Sequence, residues 1–187
     1  MIEPQVALSP ARDRILEAAE RVVGDVGAAR LTLDVVAQAA GVSKGGLLYH
    51  FPSKESLLGA LAQRYVHNMD RCIEVAKLDL QSGGSRDLKA CIMGVLGTDL
   101  SCAKAMGAAL LAAAANDLTL LEDIRERLAT YTDALAASST DFARAAIVTL
   151  AIDGLMMRES LRISPFTAQQ REQVVKELLN LADESYR

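Results

Sequence analysis

An all-α fold is what this sequence predicts, on three observations. Apolar residues recur at three- and four-residue spacing through most of the chain, the period of a helix with one buried face. No run of alternating β-branched residues interrupts them as a strand would. Residues that cap or stop helices fall between the periodic stretches, among them Ser9-Pro10, Gly41, Pro52-Ser53, Asp117 and Ser164-Pro165. Hydrophobic residues make up 51 % of the 187, so a sizeable core is expected and disorder is not.

Met1 to Leu8 reads as a mobile arm. Ser9-Pro10 opens the first helix, with Ser as N-cap and Pro where its missing N–H costs nothing. Ile15, Ala18, Ala19, Val22 and Val23 form its buried stripe, and Gly27 ends it. Thr32 caps a second helix, because its hydroxyl can accept from amides one turn in, and Val36, Ala37 and Ala40 give that helix an apolar face. Gly41, able to sit at positive φ, stops it. Ser43 caps the next helix two residues later, a connection too short for anything but a helix-turn-helix. Small Ala37 lets the two helices approach, and Val42 and Leu47 close the wedge between them.

A long helix is expected from Lys54, with Glu55 favouring the dipole of its first turn and Leu57, Leu58, Leu61, Tyr65, Met69 and Cys72 along one side. The glycines of the QSGG loop, residues 81–84, break it. Further helices are expected over residues 85–97, over the alanine-rich residues 101–116, after Asp117 as cap, over 139–161 and over 167–186. Phe142, Ala145, Ala146, Thr149, Ile152, Leu155 and Met156 stripe the penultimate helix, and Thr167 with Gln170 makes a capping box for the last. A domain boundary is expected after residue 53, giving units 1–53 and 54–187. Small residues around Ala103 to Ala115 allow either close packing or a cavity. Cys102, Met106, Leu110, Tyr131 and Met156 are candidates to line a ligand pocket, or to be plain core.

The second helix of the short pair has an unusual surface. From Val42 to Lys54 there is no acidic residue, and Lys44, His50 and Lys54 flank Tyr49. Cations, an aromatic hydroxyl and free helix amides together face phosphate; a solvated helix end around a core tyrosine is the plainer alternative. The segment SKGGLLYHFPSKESLL resembles the recognition helix and following linker of the TetR family of bacterial transcriptional regulators. Gly41, Ser43, Gly45, Leu47, Tyr49, His50, Phe51, Ser53, Lys54 and Glu55 carry the match, which extends roughly from Ala11 to Tyr65.

That resemblance implies a homodimeric, cytoplasmic repressor with an N-terminal helix-turn-helix head and a C-terminal helical body for ligand binding and dimerisation. Each protomer would place the helix capped by Ser43 in a major groove of double-stranded DNA, at one half of an inverted repeat. By the same resemblance Thr32 holds a phosphate, and Lys44 meets a base edge or phosphate. Gly45 lets the backbone come close, Tyr49 and His50 bind phosphates, and Lys54 anchors the DNA backbone at the next helix. Leu48 and Gly46 depart from the family, standing where an aromatic and a base-reading side chain are common. Readout then falls to Lys44, to Leu48 against a thymine methyl, and to DNA shape. The last two helices would pair with a second copy, and an unidentified small molecule in the body would release DNA by tilting the connecting helix.

Charge fits contact through one small face. Residues 1–67 hold seven Lys/Arg and seven Asp/Glu, and residues 68–187 hold thirteen and seventeen, so the net −4 lies in the body. Cys72, Cys91, Cys102, His50 and His67 show no metal spacing, and no cofactor is expected. No Ser/His/Asp or Cys/His grouping and no phosphate loop appears, so catalysis is not expected. The N-terminus lacks a signal-peptide pattern and the apolar stretches are too short for a bilayer, so no membrane partner is expected. Two other classes stay open: an all-helical carrier or enzyme built on the alanine-rich helices, and a helix-turn-helix used for protein contacts.

Overall fold

The computed structural model describes residues 10–26, 30–83, 85–97, 114, 117–138 and 141–183. Within them the chain forms α1 (Pro10–Val26), α2 (Leu33–Ala40), α3 (Lys44–His50), α4 (Lys54–Leu78) and α5 (Arg86–Leu96). A 3-10 turn (Leu118–Leu121) then leads into α6 (Glu122–Ser138), α7 (Phe142–Ser160) and α8 (Ala168–Ala182). There is no strand among the described residues. The expected arm, the stop at Gly27 and most of the expected helix over 101–116 lie outside them, as do Cys102, Met106 and Leu110. No helix among the described residues is long and apolar enough to cross a membrane.

Local capping accounts for most helix starts. Thr32 Oγ1 accepts from the Val35 amide at 3.3 Å, and Ser43 Oγ from the Gly46 amide at 3.0 Å. Gly41 sits at φ 65°, a left-handed conformation a Cβ would strain, and its N–H closes α2 onto Gln38. Ser53 and Ser56 cap α4 reciprocally at 3.1 Å, and Thr167 with Gln170 does the same for α8. Two expected starts shift. Asp117 caps the 3-10 turn rather than an α-helix, accepting from Thr119. The helix expected from residue 139 begins at Phe142, because the Asp141 carboxylate takes the Arg144 amide. Phe142 is exposed rather than part of a buried stripe, and Val148 is fully buried. The reason is that α7 is apolar on several sides, so period alone leaves its inward face ambiguous.

Two apolar clusters result. The first joins Ile15, Leu16 and Val23 of α1, Val36 of α2, Leu47 and Phe51 around α3, and Leu57, Leu58 and Leu61 of α4. Leu120 and Leu121 of the 3-10 turn pack against it. The second joins Ile73 of α4, Ile92 and Val95 of α5, Val148, Ile152 and Leu155 of α7, and Leu178 of α8. Helix α4 therefore runs through both. Arg64 on α4 fastens it to α1, 3.3 Å from Asp13 and 3.0 Å from Glu20. Burial raises the Glu20 carboxyl, and Arg64 works against that shift. From the loop after α7, Arg162 donates to the Gly24 carbonyl of α1 at 2.9 Å.

Candidate nucleic-acid interface and body cavity

Helix α3 is anchored on one side only. Leu47 is fully buried in the first cluster, while Lys44, Gly45, Leu48 and Tyr49 are exposed and Gly46 and His50 are half-buried. Tyr49 is 84 % exposed, so it is no core tyrosine; its ring meets only the edge of His50, centroids 5.0 Å apart. A Cβ at Gly45 would meet nothing within 4 Å, so no neighbour within the fold requires glycine there. At Gly46 a Cβ would come 3.2 Å from Ser43 Oγ, the atom that caps the helix. The Arg12 guanidinium lies 5.2 Å over the Phe51 ring, fixing α1 against the end of α3. Thr32 is exposed at the start of α2, and Lys54 is half-buried at the start of α4.

One feature of this face is invisible in the segment itself. Lys44 Nζ lies 2.9 Å and 3.1 Å from the two carboxylate oxygens of Asp34 on α2. Both side chains are well exposed, so the pair holds Lys44 weakly and yields to a stronger anion.

The body holds a partly open cavity of about 370 Å³, of the size that takes small molecules. Tyr131 and Met156, two of the expected lining residues, do line it. Tyr65, Asp70, Cys91, Arg127 and Asp153 line it too and were not anticipated. Arg127 Nε reaches both Asp70 oxygens, at 2.8 Å and 3.0 Å, and its guanidinium lies 5.8 Å over the Tyr131 ring. The Tyr131 hydroxyl is buried beside the Cys91 thiol; burial, then that thiol, pushes its pKa up. Burial, then Asp153, pushes Tyr65 up to about 12, and burial likewise raises the Cys91 thiol. Asp153 is exposed at the cavity wall, and partial desolvation there raises its carboxyl. A signal for Asp153 existed: it follows Ala146 and Thr149 and precedes Met156 at helical spacing, a charge set in an otherwise uncharged stripe. The 3-10 turn at one end of α6 touches the head, Leu120 lying 3.5 Å from where a Gly59 Cβ would be. The middle of α6, with Arg127 and Tyr131, lines the cavity. No group of three metal-ligating side chains occurs among the described residues.

Comparison with known proteins covers both parts. Residues 15–61 match the bacterial regulatory proteins of the tetR family, and residues 86–183 match the tetracyclin repressor-like C-terminal domain. The HTH-type transcriptional regulator BetI of Rhizobium meliloti (strain 1021) is 28 % identical over 189 residues, spanning 95 % of this chain and 92 % of that protein. A TetR-family transcriptional regulator from Rhodococcus sp. has the same fold, with TM-score 0.73 at 24 % identity over 96 % of this chain and all of that one. The multidrug binding protein EbrR, solved in complex with ethidium, superposes with TM-score 0.62 at 28 % identity, over 90 % of this chain and 98 % of that one.

Proposed function

The chain belongs to the TetR family of ligand-responsive, DNA-binding transcriptional regulators, and from that premise we propose that it is a repressor acting as a homodimer on an inverted repeat. The observation that carries the reading is α3, buried only through Leu47 and presenting Lys44, Gly45, Leu48 and Tyr49 outward. In the groove Lys44 exchanges Asp34 for a phosphate or a guanine edge, and Gly45 brings the helix backbone close. Tyr49, His50, Thr32 and Lys54 hold phosphates on either side, with Ser43 keeping α3 capped. Specificity then rests on few base contacts and on DNA shape.

Pairing through α7 and α8 is supported by a stripe of exposed apolar residues on α7. Ile147, Leu150, Met157 and Leu161 recur at helical spacing with Gly154 between them, an arrangement that calls for a second surface. The division of labour falls after residue 53: α1 to α3 read DNA, and the rest senses and pairs. An effector in the body cavity releases the operator; EbrR, of similar fold, is solved in complex with ethidium. Helix α6 lies along the cavity and its leading turn sits against the head, so an occupant that shifts α6 strains α4 and the head with it. Release requires the effector to favour the non-binding arrangement energetically.

The test is binding to a DNA fragment upstream of the protein's own gene, titrated against salt and footprinted. Protection of an inverted repeat, with affinity falling steeply as salt rises, is the expected result. An empty selection from a random duplex pool would sink the repressor reading.

A further inference from the structure

Among the described residues six titratable side chains line the body cavity, and their charges do not cancel. Tyr65, Tyr131 and Cys91 are neutral, and burial raises all three. Arg127 is engaged by Asp70 through both carboxylate oxygens, a bidentate pair that neutralises each partner. Asp153 remains. It makes no hydrogen bond or ion pair within the described residues, and the described lining contains no lysine or histidine to answer it.

The three classes of occupant fare differently against that lining. An anion meets Asp153 with like charge, and the cation it would need, Arg127, is already held. A neutral apolar molecule fills the space between Val66, Met69, Ile73, Leu128 and Met156 but covers the exposed Asp153 carboxylate without giving it a partner, which is costly. A cation answers the carboxylate in a setting where attraction is stronger than in water, and the Tyr65 ring lies in the same wall. A bare metal ion lacks ligands, since no three metal-ligating groups converge among the described residues. We infer that the effector is a lipophilic organic cation, its hydrophobic part filling the cavity and its charge set against Asp153. This rests on the reading of the cavity as the effector site.

The test uses the full-length protein, equilibrium dialysis and two compounds of nearly equal shape: phenyltrimethylammonium, a cation, and tert-butylbenzene, its neutral counterpart. Wild type should take up the cation in preference. The isosteric Asp153→Asn variant, shown by its melting curve to be folded, should bind the cation about ten-fold more weakly or worse, with the neutral compound little changed. Equal or tighter binding of the neutral compound, unaffected by Asp153→Asn, would overturn the cationic class while leaving the cavity as the effector site. No saturable uptake of either compound would overturn the cavity reading and the inference together. Residues 98–116 contain one cation, Lys104. Preference for the cation appearing only in Lys104→Met would also overturn the inference, by showing that the chain itself neutralises Asp153.

Discussion

In the head, α1, α2, α3 and the first turns of α4 close around Ile15, Leu16, Val23, Leu31, Val36, Leu47, Phe51, Leu57, Leu58 and Leu61, all large and all fully buried. The body from α5 onward has three described side chains of that kind, Ile92, Val148 and Ile152. The body adds polar ties between its helices. Arg171 on α8 joins buried Glu159 of α7 at 2.7 Å and the Leu96 carbonyl ending α5 at 2.8 Å. Lys89 reaches Asp183 at 2.8 Å, and Arg86 reaches the Lys77 carbonyl at 2.7 Å. The contrast follows from the two tasks. A surface that reads DNA works only if its helix is held in one geometry, which dense packing supplies. A chamber for a ligand gives up internal contacts, and on its wall the Arg127–Asp70 pair ties α6 to α4.

Substitutions that break this contrast rank by what they leave behind. Arg171→Met strands the Glu159 carboxylate in the body and uncaps α5, and should cost about 3–5 kcal/mol in chemical denaturation. Leu47→Ala opens a void in the tight head and should cost about 2–5 kcal/mol, with operator binding lost in a gel-shift assay. The matched change in the body, Ala146→Leu on the cavity wall, should alter stability by less than about 1.5 kcal/mol, because space is already there. A large loss from Ala146→Leu would show that the body is packed like the head.

Smaller changes sharpen the contrast. Tyr49→Ala should leave the melting temperature unchanged yet weaken operator binding about ten-fold, since an exposed side chain contributes to the complex and not to the fold. Asp34→Asn should free Lys44 and tighten binding to all DNA by about two- to five-fold, read as a parallel gain on operator and random duplex. Asp153→Asn should raise the melting temperature slightly at neutral pH. Burial raises this carboxyl, so the native state takes up a proton before the unfolded chain does. The cost of ionising it inside is absent at low pH and grows as pH rises through its folded range. The gain from Asn should therefore shrink as the pH is lowered through the carboxylate range.

Legibility differed between the regions as packing did. The head's landmarks are short-range: a Thr or Ser accepts from an amide three residues on, and Gly41 takes a conformation that glycine tolerates best. Each is present in a window of a few residues, which is why the head's start, stop and turn positions could be read. In α7 the same reading misplaced Phe142, because a helix apolar on several sides has no single inward face until its neighbours choose one. The cavity's polar residues were missed for a related reason. Asp70 and Arg127 are 57 positions apart, and nothing near either announces the other.

The amino-acid sequence by itself determined the all-α class, the helix-turn-helix with its caps, the outward set on α3 and the acidic balance of the body, since each depends on local hydrogen bonding or on counting charge. Tertiary structure decided the rest: that Asp34 reaches back to Lys44, that Arg127 is consumed by Asp70, and that Asp153 stands on a cavity wall with no partner among the described residues. An ion pair or a cavity exists only once helices distant in the chain have been packed together, and the side chains themselves carry no record of which neighbour they will meet.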